Sequence, residues 1–225
     1  MLHKNLPTLA LSFFLLISVA CERSKDPVGP TRLRGRIVYT EIVNFGPQLF
    51  VMSPDDPGNP HHLLNSITDD LAPRWSPDGT RVAFLSDREG LSGLFRLYMV
   101  NDDGRNLQGL FDPVTHPEGD LEFSWAPDGN HIALINSVKL ENLRIRSDRR
   151  QLFIVNVQTL ERQLVAGARP NRFAPDWSPD GTRIAFLSQL SNQIGAALHL
   201  LSYPGLQTST VDVGMNRINF PRWAP

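Results

Sequence analysis

Three carboxylates recur in one phrase of the chain: Asp78 in "WSPDGTRVAFLS", Asp128 in "WAPDGNHIALIN" and Asp180 in "WSPDGTRIAFLS". Carboxylates at matched positions could in principle converge for general acid–base work. The phrase around them argues for another use. Pro fixes φ at the value needed early in a turn, Asp accepts hydrogen bonds from nearby backbone, and Gly takes φ > 0. Asp78–Gly79, Asp128–Gly129 and Asp180–Gly181 are therefore expected to be turn pairs, each carboxylate occupied locally.

The other groups that could do chemistry are sparse. "NDDGR", Asn101 to Arg105, has the oxygen-rich start of a calcium loop but no later bidentate Glu, and reads as a hairpin turn. "SPDDPGNP", Ser53 to Pro60, reads as a turn or loop cluster. His61 and His62 are adjacent, so in a strand they point to opposite faces and do not share a metal. "GLSGL" around Ser92 has the wrong spacing for a nucleophile elbow, and there is no phosphate loop and no His-Glu-x-x-His. The expectation is a non-enzyme with no catalytic residue, no metal and no cofactor. A net charge of −1 leaves no field to recruit nucleic acid.

One segment concentrates charge. "KLENLRIRSDRR" carries five basic residues (Lys139, Arg144, Arg146, Arg149 and Arg150) against two acidic ones. It is expected to lengthen the loop between the second and third strands of its unit. Loops are where rigid scaffolds place their contacts, so these five residues are candidate partner-binding groups. The alternative is a solvated excursion.

The elements that position these groups emerge from aligning the chain on tryptophan. The copies are "LAPRWSPDGTRVAFLS", "LEFSWAPDGNHIALIN" and "FAPDWSPDGTRIAFLS", with a fragment "INFPRWAP" at the end. Trp75, Trp125, Trp177 and Trp223 are all four tryptophans of the protein. The spacing of roughly 50 residues is that of a repeat architecture. In each unit a short strand ends at Trp, Pro-Asp-Gly turns, and a second apolar strand follows. Third strands are "FRLYMVN", "QLFIVNV" and "ALHLLSY", and short fourth runs are "NLQGL", "RQLVAG" and "TSTVDVG". Before Trp75, "GRIVYTE", "PQLFVMS" and "HHLLNS" supply second, third and fourth strands. The tryptophans read as packing between units, worth several kcal/mol each at about 25 cal/mol per Å².

Four short antiparallel strands per unit are the pattern of a β-propeller blade. The expected fold is all-β, a propeller of four-stranded antiparallel blades with about four blades' worth of strands. Joining "INFPRWAP" to the "GRIVYTE" unit would complete one blade and close a compact four-bladed ring. An arc cut from a longer propeller, or an arc completed by a second chain, has the same strand count.

The N-terminus is of a different kind. Lys4, the apolar run Leu6 to Val19 and small residues precede Cys21, the one cysteine, which excludes an internal disulfide. This resembles a bacterial lipoprotein signal peptide, whose family is cut before the cysteine and acylated on it; an ordinary secretory signal is the alternative. The expected division is 1–20 signal peptide, 21–34 polar tether and 35–225 propeller. Cys21 is the lipidation site on this reading, and the membrane is contacted through N-terminal acyl chains.

The repeat also carries a resemblance. Trp-Ser-Pro-Asp-Gly, a basic residue, an aliphatic-Ala-Phe run and the following "SDREG" are similar to the WD40-like repeat of the TolB β-propeller family. The resemblance spans about Gly35 to the end. It implies a propeller in the bacterial cell envelope, facing the periplasm or exterior, that binds another envelope protein or peptide. Similar repeats form the gating propeller of prolyl-oligopeptidase-type serine peptidases, which makes a propeller fragment of such an enzyme one alternative. A carbohydrate-binding propeller is another.

Overall fold

The computed structural model describes residues 18–19 (backbone), 35–43, 46–89, 94–112, 119–139, 145–165, 172–189, 195–213, 218 and 220–224. Cys21, the tether 21–34, Ser92 and Arg144 lie outside them, as do the side chains of Lys139, Arg146 and Arg149.

The described residues form four antiparallel four-stranded sheets and no helix. The first blade is β1 (Ser18–Val19), β2 (Ile37–Val43), β3 (Gly46–Ser53) and β4 (Asp56–His62). The second is β5 (Asp70–Trp75), β6 (Arg81–Ser86), β7 (Arg96–Asn101) and β8 (Gln108–Gly109). The third is β9 (Gly119–Trp125), β10 (His131–Lys139), β11 (Ile145–Asn156) and β12 (Arg162–Leu164). The fourth is β13 (Arg172–Trp177), β14 (Arg183–Gln189), β15 (Ala196–Ser202) and β16 (Thr208–Val211). Alternation in the middle strands sends every second side chain to each face, so each blade has two apolar faces.

Those faces meet in three seams. Val38, Leu49 and Val51 of blade one pack with Trp75, Val82, Phe84 and Val100 of blade two. Ala83, Leu85, Leu97 and Met99 pack with Trp125, Ile132, Leu134 and Val155. Ala133, Ile135, Leu152 and Ile154 pack with Trp177, Ile184, Phe186 and Leu201. Each seam takes one tryptophan from its later blade, between 6% and 9% exposed. The sheets converge on their tryptophan-strand edge: β9 approaches β13 directly, and β2 and β3 reach β5, while the outer strands β4, β8, β12 and β16 pack on no neighbouring blade comparably.

Three expectations are corrected. The expected joining of "INFPRWAP" to β2 is not formed. The edge of β2 is paired by Ser18–Val19, and Trp223 lies on blade four. No strand packing comparable to the three seams joins blade four to blade one among the described residues, so these blades form an open arc rather than a compact ring. Second, the fourth strand of blade one starts at Asp56, earlier than "HHLLNS". Pro57 and Pro60 lack an N–H, but this strand is the exposed outer edge of its sheet, where no further ladder bond is needed. Third, much of the expected loop Lys139 to Arg150 is strand. β10 runs to Lys139 and β11 starts at Ile145, with Lys139 opposite Ile145, so the insertion is an extended hairpin.

Candidate functional site

The Pro-Asp-Gly turns close on themselves. Ser76 Oγ donates to Asp78 Oδ1 at 2.5 Å and the Thr80 N–H donates to the same atom at 3.1 Å. Burial works against the charge of Asp78, but the bonds from Ser76 and Thr80 prevail and its pKa lies below the usual carboxylate value. Ser178 Oγ, the Thr182 N–H and Thr182 Oγ1 converge on Asp180 Oδ1 at 2.5, 3.0 and 2.9 Å. These bonds, Ser178 first, hold Asp180 down at about 2. Asp128 accepts from the Asn130 and His131 N–H groups at 2.8 and 3.1 Å and sits 2.6 Å from His131 Nδ1. Burial opposes its ionisation and these contacts outweigh it, lowering its pKa. Gly79, Gly129 and Gly181 take φ of 68°, 67° and 71°, which a side chain would strain. The carboxylates are spent on their own turns.

The tryptophans line the seams, and a basic residue clasps two of them. Arg36 lies 4.8 Å from the Trp75 ring centroid, donates to the Gly79 carbonyl at 3.1 Å and pairs with Asp102 at 2.8 Å. At the equivalent position Arg81 lies 5.5 Å over Trp125 and donates to the Gly129 carbonyl at 3.0 Å. His131 takes that position in the third seam, and its ring meets Tyr203 at 5.5 Å, Tyr203 in turn meeting Trp177 edge-on at 5.0 Å. Asp102 and Tyr203 occupy the same place, first after the third strand.

The remaining candidates are positioned as follows. "NDDGR" is a hairpin turn, with the Gly104 N–H bonded to the Asn101 carbonyl at 3.0 Å. Among the described residues no group of three His, Cys, Asp or Glu is placed to hold a metal. The His62 ring meets Phe50 at a tilt of 40°, ring centroids 4.2 Å apart. Of the basic segment, Arg150 is half-buried, with Nη1 3.6 Å from the Glu122 carboxylate.

Glu122 leads to a cluster that motif reading missed. The residues before each tryptophan lie on the convergent edges of the blades, and charges gather there. Glu122 Oε2 accepts the Ala174 N–H at 2.6 Å, and Ser124 Oγ accepts the Trp177 N–H at 3.3 Å. Asp176 accepts from Arg222 Nη1 at 3.0 Å and from the Trp223 N–H at 2.9 Å. Arg74 lies 5.9 Å from the Phe123 centroid. Burial lowers the pKa of Arg74, the nearby Arg222 lowers it further, and Asp176 and Glu122 oppose both. Three guanidinium groups (Arg74, Arg150, Arg222) thus share one axial edge with two carboxylates. Both carboxylates are already engaged by arginine and backbone N–H, so the cluster presents donors rather than an acid–base pair.

A second column lies five residues before Trp75, Trp125 and Trp177, and these three residues, Asp70, Asp120 and Arg172, are buried. Asp70 pairs with Arg88 at 2.8 Å, and Asp120 Oδ2 accepts the Leu97 N–H across a seam at 2.9 Å. Arg172 lies 5.5 Å from the Phe186 centroid, and burial lowers its pKa to about 10. Both columns are readable in the tryptophan alignment. What hid them was their changing residue type, since the turn repeats its letters and these positions do not.

Comparison with known proteins supports the fold. No protein-family model matches the chain. "Uncharacterized peptidase YuxL" of Bacillus subtilis is 29% identical over 147 residues, covering 53% of this chain and 22% of that protein. "Tol-Pal system protein TolB" of Alcanivorax borkumensis is 25% identical over 128 residues, covering 56% of this chain and 26% of that one. The chain thus spans about a quarter of the length of these curated relatives. The crystal structure of TolB from Acinetobacter baumannii superposes with a TM-score of 0.60 at 16% identity, over 80% of this chain and 42% of that one. The fold is therefore that of a TolB-like β-propeller, shared with relatives that include both a Tol-Pal system protein and a peptidase.

Proposed function

We propose that this chain is a non-catalytic propeller module of the bacterial cell envelope, anchored by acyl chains on Cys21, that binds another envelope protein or peptide. The axial cluster carries the reading. Its carboxylates are engaged by Arg222, Arg150 and backbone N–H groups, and its guanidinium groups offer planar donors to a carboxylate or a peptide carbonyl. The extended β10–β11 hairpin, whose strands include Lys139, Arg146 and Arg149, adds basic residues to the same blade. The partner chemistry this favours is an acidic or carboxylate-terminated protein segment. Similarity to a Tol-Pal system protein supports an envelope location.

The test compares crosslinked capture from envelope membranes by the wild-type chain and by the double variant Arg74→Glu, Arg222→Glu. The expected result is a protein retained by the first and lost by the second. Equal capture by both removes the axial cluster from the function. Mass spectrometry of the mature N-terminus tests the anchor, and an unacylated Cys21 would refute it.

The similarity to a peptidase favours one second reading, in which this arc belongs to the gating propeller of a serine peptidase. Coding sequence for an α/β-hydrolase domain continuous with this chain would establish it in place of the first.

A further inference from the structure

We infer that the face of blade four packed on blade three binds a ligand carboxylate, held by the Arg172 guanidinium beside Ser188. Blade two shows the same group built from the chain's own residues. Asp70 lies opposite Ser86 in the strand register. Arg88 completes the group: its Nη2 pairs with Asp70 at 2.8 Å and its Nε donates to Ser86 Oγ at 2.9 Å. The same guanidinium lies 5.2 Å from the Phe84 centroid. A buried carboxylate, a guanidinium and a serine hydroxyl thus meet beside one phenylalanine.

Blade four repeats the arrangement with the charge reversed. Arg172 and Ser188 stand opposite one another, at the places of Asp70 and Ser86. The Arg172 guanidinium lies 5.5 Å from the Phe186 centroid, and Phe186 is the equivalent of Phe84. Here the described residues supply no carboxylate. Arg172 is 3% exposed, and its Nη1 is buried without a hydrogen-bond partner among them. In sequence, Leu190 stands where blade two has Arg88, and the flanking stretches 166–171 and 190–194 contain no Asp or Glu. Glu122 reaches blade four from blade three, but it is held by Arg150 and the Ala174 N–H. Burial acts on Arg172 with no carboxylate opposing it, whereas Asp176 and Glu122 support the charge of Arg74. A guanidinium taken out of water without an anion is costly. One positive charge calls for a monoanion, and the planar fork fits the two oxygens of a carboxylate.

His199 prepares a second donor. Its Nε2 lies 2.7 Å from Ser188 Oγ and its Nδ1 3.1 Å from Thr210 Oγ1. With Thr210 donating to Nδ1 and the Nε2–H donating to Ser188, the Ser188 hydroxyl is left to donate to the ligand. Ser188 and His199 are 0% and 6% exposed, so these bonds form away from water, where they are strong.

The test is thermal unfolding of the full chain in detergent at neutral pH, with sodium acetate replacing sodium chloride at constant ionic strength. Acetate is expected to raise the unfolding temperature saturably, and inorganic phosphate to raise it less. Arg172→Met should abolish the rise and leave the chain in chloride at least as stable as wild type, because it removes an unpaired buried charge. Ser188→Ala should weaken acetate binding about tenfold. No rise with acetate, or the same rise in Arg172→Met, overturns the site. A rise with phosphate alone overturns the carboxylate as its ligand. An Arg172→Met chain much less stable than wild type in chloride overturns the unpaired guanidinium, and unchanged acetate affinity in Ser188→Ala overturns the second donor.

Discussion

At the residue scale, the repeated phrase is a corner whose parts are spent on structure. Trp125 fills the second seam, and its ring is covered by Arg81. Trp125→Ala removes a large buried side chain and should cost about 3–5 kcal/mol. The check is the chemical denaturation midpoint, and an unchanged value would remove the packing role. Asp180 makes a pH prediction. Its folded pKa, about 2 against 3.8 for the ordinary group, is depressed. The stability it contributes is therefore present above the unfolded value and lost as pH falls through the folded one. Wild type and Asp180→Asn should differ most above about pH 4 and converge near about pH 2 in urea titrations. A constant difference across that window would contradict the turn as its cause. The residue scale is also where the sequence was least legible for function. Asp78, Asp128 and Asp180 are visible because their type repeats. Arg74, Ser124, Asp176 and Arg222 share one position across three different chemistries, so no repeated letter marks them and the structure shows that they meet.

At the element scale, the blades are nearly as the alternation predicts, because a strand with two buried faces must place apolar residues on both. The departures come from backbone rules that alternation does not encode. In β5 and β13 the register shifts between Leu71 and Arg74 and between Phe173 and Asp176. Ala72 and Ala174, each before a proline, sit there with φ of 51° and 52°. A left-handed conformation strains an alanine and suits a glycine. Ala174→Gly should hold stability or raise it by up to about 1 kcal/mol, and Ala174→Val should lower it, as thermal unfolding will report. A glycine variant markedly less stable than wild type would show that the bulge is not strained. The β10–β11 hairpin is the other departure. Its charge suggests a loop, but pairing of Ser137 with Arg150 and of Lys139 with Ile145 carries both strands on, leaving 140–144 between them.

At the scale of the whole molecule, the tryptophan repeat encodes seams rather than a closed ring. Three seams pack blade on blade, and Trp223 is hydrogen-bonded to Asp176 of blade four. Strand count is legible in the letters, whereas closure depends on the rotation between blades, which no local pattern specifies. The blades place a donor-rich axial edge where their inner strands converge. The central claim is that this edge binds a protein segment and does no chemistry. The most direct measurement is crosslinking mass spectrometry of the anchored chain in its envelope. The predicted result is one envelope protein crosslinked around Arg74, Arg150 and Arg222, and lost in the Arg74→Glu, Arg222→Glu variant. Undiminished crosslinking in that variant, or turnover of a peptide or glycan library by the purified chain, would contradict it.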